Sequence, residues 1–588
     1  MKSTLYKFSA KPIAVVLVRA FGRTLGRAFI AALPFLSVAI AARAAEVPLA
    51  KDPVTVKDSG LTDRIFYEYL ISEIAGQRGR SGLALRGLIG LAQRTRDPRV
   101  ARRAVEIAFQ ARQMDAALEA TTFWLELDPS SSVARQAIGG VIGNQTTLAL
   151  AKADLARLLA QPGRAAGVLL QLPLLLSRFP DKSAVSGAVD ALVAPYLQLP
   201  EAHYAIAQSR LIAKDAKAAL EAINVAEARR APWSQAAILK AQILREFSEE
   251  SANKHLKDFL RKYPGETEAR LAFARLLASQ KGYLQAREEF RLAMKAAPDD
   301  VEIPYAVGLI SQQIEDYADA EMQFKRVLEL KPVESSPVYF NLGAIATARK
   351  APEAAIDWYS KVKGGEYFVT AQLKIATLLA RRDGMAAGRK FMQEAQALQA
   401  DAPETRIQLI LAEAQLLREA KAFTEAFDAL SEAIEKNPGT ADLFYDRAMV
   451  AEKIDKIDMV EADLRRVIEL RPEHAHAYNA LGYTLAERNQ RLDEAYELIQ
   501  KAVSLAPNDA FIQDSLGWVH FRRGRIDDAI ATLKQAYQAR PDAEIAAHLG
   551  EVLWAKGEQA EALALWQAAL RESPENEMLK SVISKFKP

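Results

Sequence analysis

The strongest constraint on the fold is a spacing that recurs along the second half of the chain. Gly517 is followed by Ala529, Leu533, Ala536 and Pro541, and Gly550 by Ala562, Trp566, Ala569 and Pro574. Each copy moves from a small residue to a proline in steps of twelve, four, three and five. The same steps link Ala274, Ala286, Phe290, Ala293 and Pro298, then Gly308, Ala320, Phe324, Val327 and Pro332, and then Ala414, Ala426, Leu430, Ala433 and Pro438. A looser copy runs Ala448, Val460, Leu464, Val467, Pro472. The copy from Gly482 through Ala495, Ile499 and Ala502 to Pro507 carries one inserted residue. Copies from Gly343 and Ala376 keep the first three steps and lose the proline. Together these make nine consecutive units over residues 265–574, each about 34 residues long.

Each unit reads as two helices. In the copy around Gly482, Tyr478, Leu481 and Leu485 recur at helical spacing, and "RNQRLD" then supplies a polar turn. Ala495, Leu498, Ile499, Ala502 and Val503 fall on one face of a second helix. The proline ends it, because proline cannot continue a helix interior and disfavours helix in the residue before it. The small residues let two antiparallel helices approach closely, with Gly482 and Ala495 facing each other. A larger side chain there overpacks the contact, at about 1–3 kcal/mol. The spacing is therefore a packing instruction for stacked hairpins and carries no chemistry of its own. It predicts an all-α solenoid of antiparallel helix pairs.

Upstream the pattern loosens. Ala207, Ala219, Ile223 and Ala226 keep three steps, with Pro232 one residue early. A second helix is expected to end at Pro264, and another, "QMDAALEATTFWLELDP", at Pro129. Residues 62–264 read as five or six degenerate hairpins, residues 45–61 as an extended linker, and residues 575–588 as a capping helix or tail. No stretch alternates as a strand does.

Residues 1–44 differ in character. Lys2, Lys7, Lys11, Arg19, Arg23, Arg27 and Arg43 stand there without an acid, followed by an apolar run containing Pro34. Ala42 and Ala44 lie where a signal peptidase reads, so cleavage is expected before Ala45. The run is short for a membrane span. The whole chain carries +3, and removing these seven basic residues leaves −4. The basicity thus belongs to the export signal and gives no argument for nucleic-acid binding. There is no cysteine, which excludes disulfides, thiolate catalysis, cysteine metal sites and a lipid anchor on cysteine.

A catalytic constellation is not found, and the chain reads as no enzyme, with no cofactor or metal. His474 and His476 stand at the start of a repeat and read as linker residues without further ligands around them. "GGVIGN" at 139–144 lacks a preceding strand and a phosphate-loop lysine. Half the composition is hydrophobic and a quarter charged, as in a folded protein. The inner wall is the place to look for binding, because first helices line it. Positions three before and one after the small residue give Tyr305, Phe340, Tyr445, Asn479, Tyr483, Asp514 and Trp518 as protein-binding candidates. Ordinary packing between helices is the competing role for each. Trp566 and Phe324, on second helices, read as core.

The spacing resembles the tetratricopeptide repeat, a helix-turn-helix unit that stacks into a superhelical solenoid. A closer resemblance lies in "EYLISEIAGQRGR", in the stretch from Thr95 to Ser131, and in the block from Leu470 to Ala529. These are similar to a Gram-negative envelope family whose best-described type is a tetratricopeptide outer-membrane lipoprotein partnered with a carboxy-terminal processing protease. The resemblance implies a periplasmic adaptor that binds the protease, promotes its activity and delivers substrates. This chain lacks the cysteine such a lipoprotein needs, so a soluble periplasmic protein is expected. A scaffold for another envelope machine (secretion, polysaccharide export or outer-membrane assembly) fits the same residues, and an enzyme subunit is the remote alternative.

Overall fold

The computed structural model describes residues 62–586, apart from 112, 129–130, 132, 135–136 and 138–147. The expected signal segment, the linker at 45–61 and the glycine-rich 139–144 lie outside the described residues. Among the described residues the chain forms 30 α-helices and a short 3-10 turn at Ala194–Tyr196, with no strand. No helix among them is long and apolar enough to cross a membrane. The described chain divides into two compact units, one ending at Leu330 and the other starting at Lys331.

Within each unit, successive helices pack as antiparallel neighbours, and one turn design recurs. In the hairpin Thr267–Ser279 and Tyr283–Ala296, the turn residue Lys281 takes φ 63, and the Gly282 amide donates to the Leu277 carbonyl at 2.9 Å. This is the six-to-one bond of a Schellman motif, which satisfies a carbonyl left over at the helix end. The same bond runs from Asp215 to Arg210, Asp316 to Ser311, Ala351 to Ala346 and Ala422 to Leu417. It continues from Lys456 to Ala451, Gln490 to Leu485, Arg525 to His520 and Glu558 to Leu553. In every case the left-handed residue stands seven after the small residue of the repeat: Lys214, Lys281, Glu315, Lys350, Lys421, Asp455, Asn489, Gly524, Gly557. Polar side chains hold most of these positions although glycine would suit the backbone better. The inserted residue of the Gly482 copy is absorbed in this turn, where Arg491 also takes a positive φ of 43. The Ala376 copy departs: its first helix, Phe368–Asp383, runs on, and Gly384 makes the turn at φ 96.

The small residues do what the spacing requires. A Cβ on Gly482 would lie 2.6 Å from Ile499 Cγ1 and 2.9 Å from the Ala495 carbonyl oxygen. On Gly343 it would lie 2.6 Å from the Tyr359 ring, and on Gly308 2.9 Å from the Phe324 ring. On Gly550 it would fall on the Trp566 indole. Trp566 and Phe324 are fully buried, as expected of second-helix core residues. In the Ala376 copy Gly388 takes the close approach instead, 2.5 Å from the Ala376 carbonyl oxygen.

The first unit changes character along its length. From Leu148–Leu159 through Ala165–Leu176 to Lys182–Val193, the core is a layer of aliphatic side chains, including Leu155, Leu169, Leu172, Leu176 and Val189. In the second unit, buried charge ties helices together. Arg447 donates to both oxygens of Asp463 at 2.7 and 2.8 Å and to Ser431 at 3.1 Å, joining three helices. Glu413 accepts from Arg389, Gln393 and Gln396. Each donor satisfies a buried acceptor that would otherwise cost about 1–3 kcal/mol. The last helix, Glu577–Phe586, covers the end of the unit, with Phe586 against Trp554 and Trp566 at 5.6 and 5.8 Å between ring centres.

Candidate functional site

The sequence candidates separate into packing residues and one cluster. Tyr305, on Glu302–Gln313, is half-buried and edge-on to Phe324 at 5.7 Å, inside its own hairpin. Phe340 packs between Tyr359 and Tyr367 at 5.4 and 5.0 Å. Tyr445 lies 5.0 Å from the ring of His474. His474 is not a loose linker residue: its Nδ1 accepts the Ala477 amide and so caps the helix Ala475–Glu487, and burial pushes its pKa down.

Tyr483, Asp514 and Trp518 converge on a residue that the repeat positions did not single out, His548. Tyr483 stands on Ala475–Glu487, Asp514 and Trp518 on Ala510–Arg522, and His548 on Ala543–Lys556, the first helices of three successive hairpins. His548 Nδ1 lies 2.8 Å from Asp514 Oδ2, and its Nε2 lies 3.3 Å from the Tyr483 hydroxyl. The Trp518 indole stacks on the imidazole, with ring centres 4.5 Å apart and planes 27° apart. Trp518 Nε1 donates to Glu487 Oε2 at 2.9 Å. His548, Asp514 and Trp518 are 4%, 6% and 3% exposed, so the last two are interior groups and not open recognition residues. The available signal for His548 was a single titratable ring in the apolar run "AEIAAHLGEVLW".

The electrostatics fix what this cluster can do. Burial alone depresses an imidazole pKa, but Asp514 beside it, with Glu487 and Glu544 nearby, holds His548 above its ordinary 6.5. Burial, then Glu487, Asp514, Glu544 and Glu452, push the Tyr483 phenol well above its ordinary 10.0. The connectivity Tyr–His–Asp matches that of a nucleophile, a base and its orienter. Both shifts favour the protonated form of the ring, which disfavours Tyr483 as a nucleophile and His548 as its base. The cluster links three helices through side-chain hydrogen bonds. Asp514 Oδ1 is buried without a hydrogen bond, as is Asn479 Oδ1 on Ala475–Glu487. Among the described residues, no group of three His, Asp or Glu is placed to hold a metal ion.

A second surface stands out in the first unit. On Asp63–Gln77, Phe66, Tyr67, Leu70, Ile71 and Ile74 recur on one helix face and are 39–62% exposed. Contiguous exposed apolar surface of this kind is typical of protein contacts.

Residues 473–542 and 515–577 each match the tetratricopeptide repeat family. Over 520 residues the chain is 32% identical to the TPR repeat-containing protein PA4667 of Pseudomonas aeruginosa, covering 84% of this chain and 83% of that one. It is 30% identical over 105 residues to the small glutamine-rich tetratricopeptide repeat-containing protein 2 of Mycosarcoma maydis, covering 18% of this chain and 30% of that one. Among solved structures, that of Naa15/Naa10 bound to HypK-THB aligns over 89% of this chain and 96% of that one, at 11% identity and a TM-score of 0.37.

Proposed function

The chain belongs to the tetratricopeptide repeat proteins, and from that premise we propose that it is an exported, non-catalytic adaptor of the cell envelope. In this reading it resides in the periplasm, binds a carboxy-terminal processing protease, promotes its activity and presents substrates to it. Repeat arrays of this kind bind protein partners along extended surfaces. The observation that carries the reading is the run of stacked helical hairpins from Ala441 to Glu572, an extended array of the tetratricopeptide kind. The apolar row on Asp63–Gln77 supports it as a further contact surface. Residues 1–44, basic and then apolar, support export, and the absence of cysteine favours a soluble protein over a lipid-anchored one.

The test is an affinity capture from periplasmic extract with residues 45–588 as bait and mass spectrometry as readout. Recovery of a carboxy-terminal processing protease, lost on deletion of 265–574, supports the adaptor role. Reproducible recovery of a different envelope assembly without the protease rejects it.

A further inference from the structure

The two ends of the described chain are finished differently. The last helix, Glu577–Phe586, turns Phe586 in against Trp554 and Trp566 and leaves Glu577, Ser581, Ser584 and Lys585 exposed. A polar outer face of this kind keeps the end of a repeat array in water. The first described helix, Asp63–Gln77, does the reverse. Phe66, Leu70 and Ile74 follow one another at steps of four, Tyr67 and Ile71 lie one residue further on, and all five are at least 39% exposed. Leu83, on the next helix, Ser81–Thr95, is 48% exposed.

The charge around this face has one sign. Residues 62–103 hold nine arginines and four acids, a net +5, whereas residues 45–588 together carry −4. Three of the four acids are already paired: Glu68 with Arg64 and Arg94, Glu73 with Arg103, and Asp97 with Arg99. The fourth, Asp63, lies in the first turn of its helix, where the helix N-terminus favours an acid. Arg78 and Arg80, in the turn between the two helices, and Arg86, one turn on from Leu83, are exposed and pair with no acid among the described residues.

We infer that the face from Phe66 to Ile74, with Arg78, Arg80 and Arg86 beside it, docks reversibly on an anionic phospholipid surface. Aromatic and aliphatic side chains enter the boundary between headgroups and acyl chains, and the guanidinium groups bind lipid phosphates. A second copy of the chain fits the face less well, because it brings the same arginines against the first set. The inference goes beyond the adaptor role and does not depend on it: it holds one end of the array at a bilayer, whatever the repeats bind.

The test is vesicle flotation with the protein of residues 45–588, which keeps every described helix and lacks the expected signal segment. The vesicles are phosphatidylcholine alone, or an equal mixture of phosphatidylcholine and phosphatidylglycerol. Binding to the mixed vesicles is expected to be at least about tenfold tighter than to the neutral ones, and to weaken as salt is raised. Phe66→Gln combined with Leu70→Gln should weaken binding to the mixed vesicles at least about tenfold. Arg78→Gln, Arg80→Gln and Arg86→Gln together should weaken it by a similar factor of at least about ten and remove the preference for anionic lipid. All five positions are exposed, so circular dichroism melts of both variants should match wild type, and if one melts early the other carries the test. Equal binding to the two kinds of vesicle, binding to neither, or binding unchanged in a folded variant overturns the inference. So does a dimer in sedimentation without lipid that Phe66→Gln with Leu70→Gln dissociates, since a second copy then covers the face. Each of these results leaves the adaptor reading standing, because the protease capture judges that reading separately.

Discussion

Two stretches of the molecule use glycine in opposite ways. In the hairpins between Ala475 and Glu572, Gly482, Gly517 and Gly550 each press against a second helix, where an added Cβ would collide with Ile499, Leu533 or Trp566. In the aliphatic stretch from Leu148 to Val193, Gly167 and Gly187 meet nothing within 4 Å where a Cβ would go. Both stretches are helical hairpins in a repeat array. The comparison teaches that smallness is required where the two helices of a hairpin meet closely, against a large side chain as at Gly550 or a backbone carbonyl as at Gly388. Where leucines from several helices share the filling, the small position is free to drift, and the repeat signature decays with it.

Several substitutions bear on this contrast, and the largest effect is expected at Trp566. Trp566→Ala empties a fully buried site and should cost about 3–5 kcal/mol in chemical denaturation. A loss under about 1 kcal/mol would mean that the regular hairpins do not depend on that side chain. His548→Gln leaves the buried Asp514 charge unpaired and should cost about 3–5 kcal/mol. It also removes a pH dependence. The folded pKa of His548 lies above the unfolded value of about 6.5. Its stabilisation is therefore complete below that value and lost as pH rises through the folded pKa. A wild-type melting profile that is flat across this range, or one that falls equally in the variant, would refute the assignment.

Smaller effects sharpen the comparison. Gly550→Ala should destabilise by about 1–3 kcal/mol, and the cost should shrink when Trp566→Leu is added, because the contact is shared. Additive losses would place the clash elsewhere. Lys281→Gly should stabilise by about 1 kcal/mol, since Lys281 holds a left-handed conformation that glycine adopts freely. A Lys281→Gly protein that melts at or below wild type would show that the turn is set by contacts of the lysine side chain.

The hairpins were legible because packing leaves a periodic trace: Ala274, Gly308, Gly482 and Gly517 sit where a second helix approaches. The recurring turn seven residues later was not legible, because Lys, Glu, Asp and Asn replace glycine there and hide the shared backbone shape. The cluster was legible in part. Tyr483, Asp514 and Trp518 were reached by position on the first helix, but burial turned Asp514 and Trp518 inward. His548 was missed because it stands two residues before Gly550, off the positions that point to the inner wall, and joins the cluster only through packing of the third hairpin. Tyr305 and Phe340 follow the same rule yet serve ring packing, since a large neighbour on the second helix meets each of them.

The central claim is that the repeat spacing is a packing instruction, and one matched pair of variants tests it most directly. Gly517→Ala and Gly187→Ala make the same chemical change inside a helix, and equilibrium denaturation of each reads the result. The account predicts opposite signs. Gly517→Ala should lose about 1–3 kcal/mol, because its Cβ would lie 2.5 Å from Leu533 Cγ. Gly187→Ala should gain about 0.5–1 kcal/mol from helix propensity alone. Two gains, or two equal losses, would contradict it.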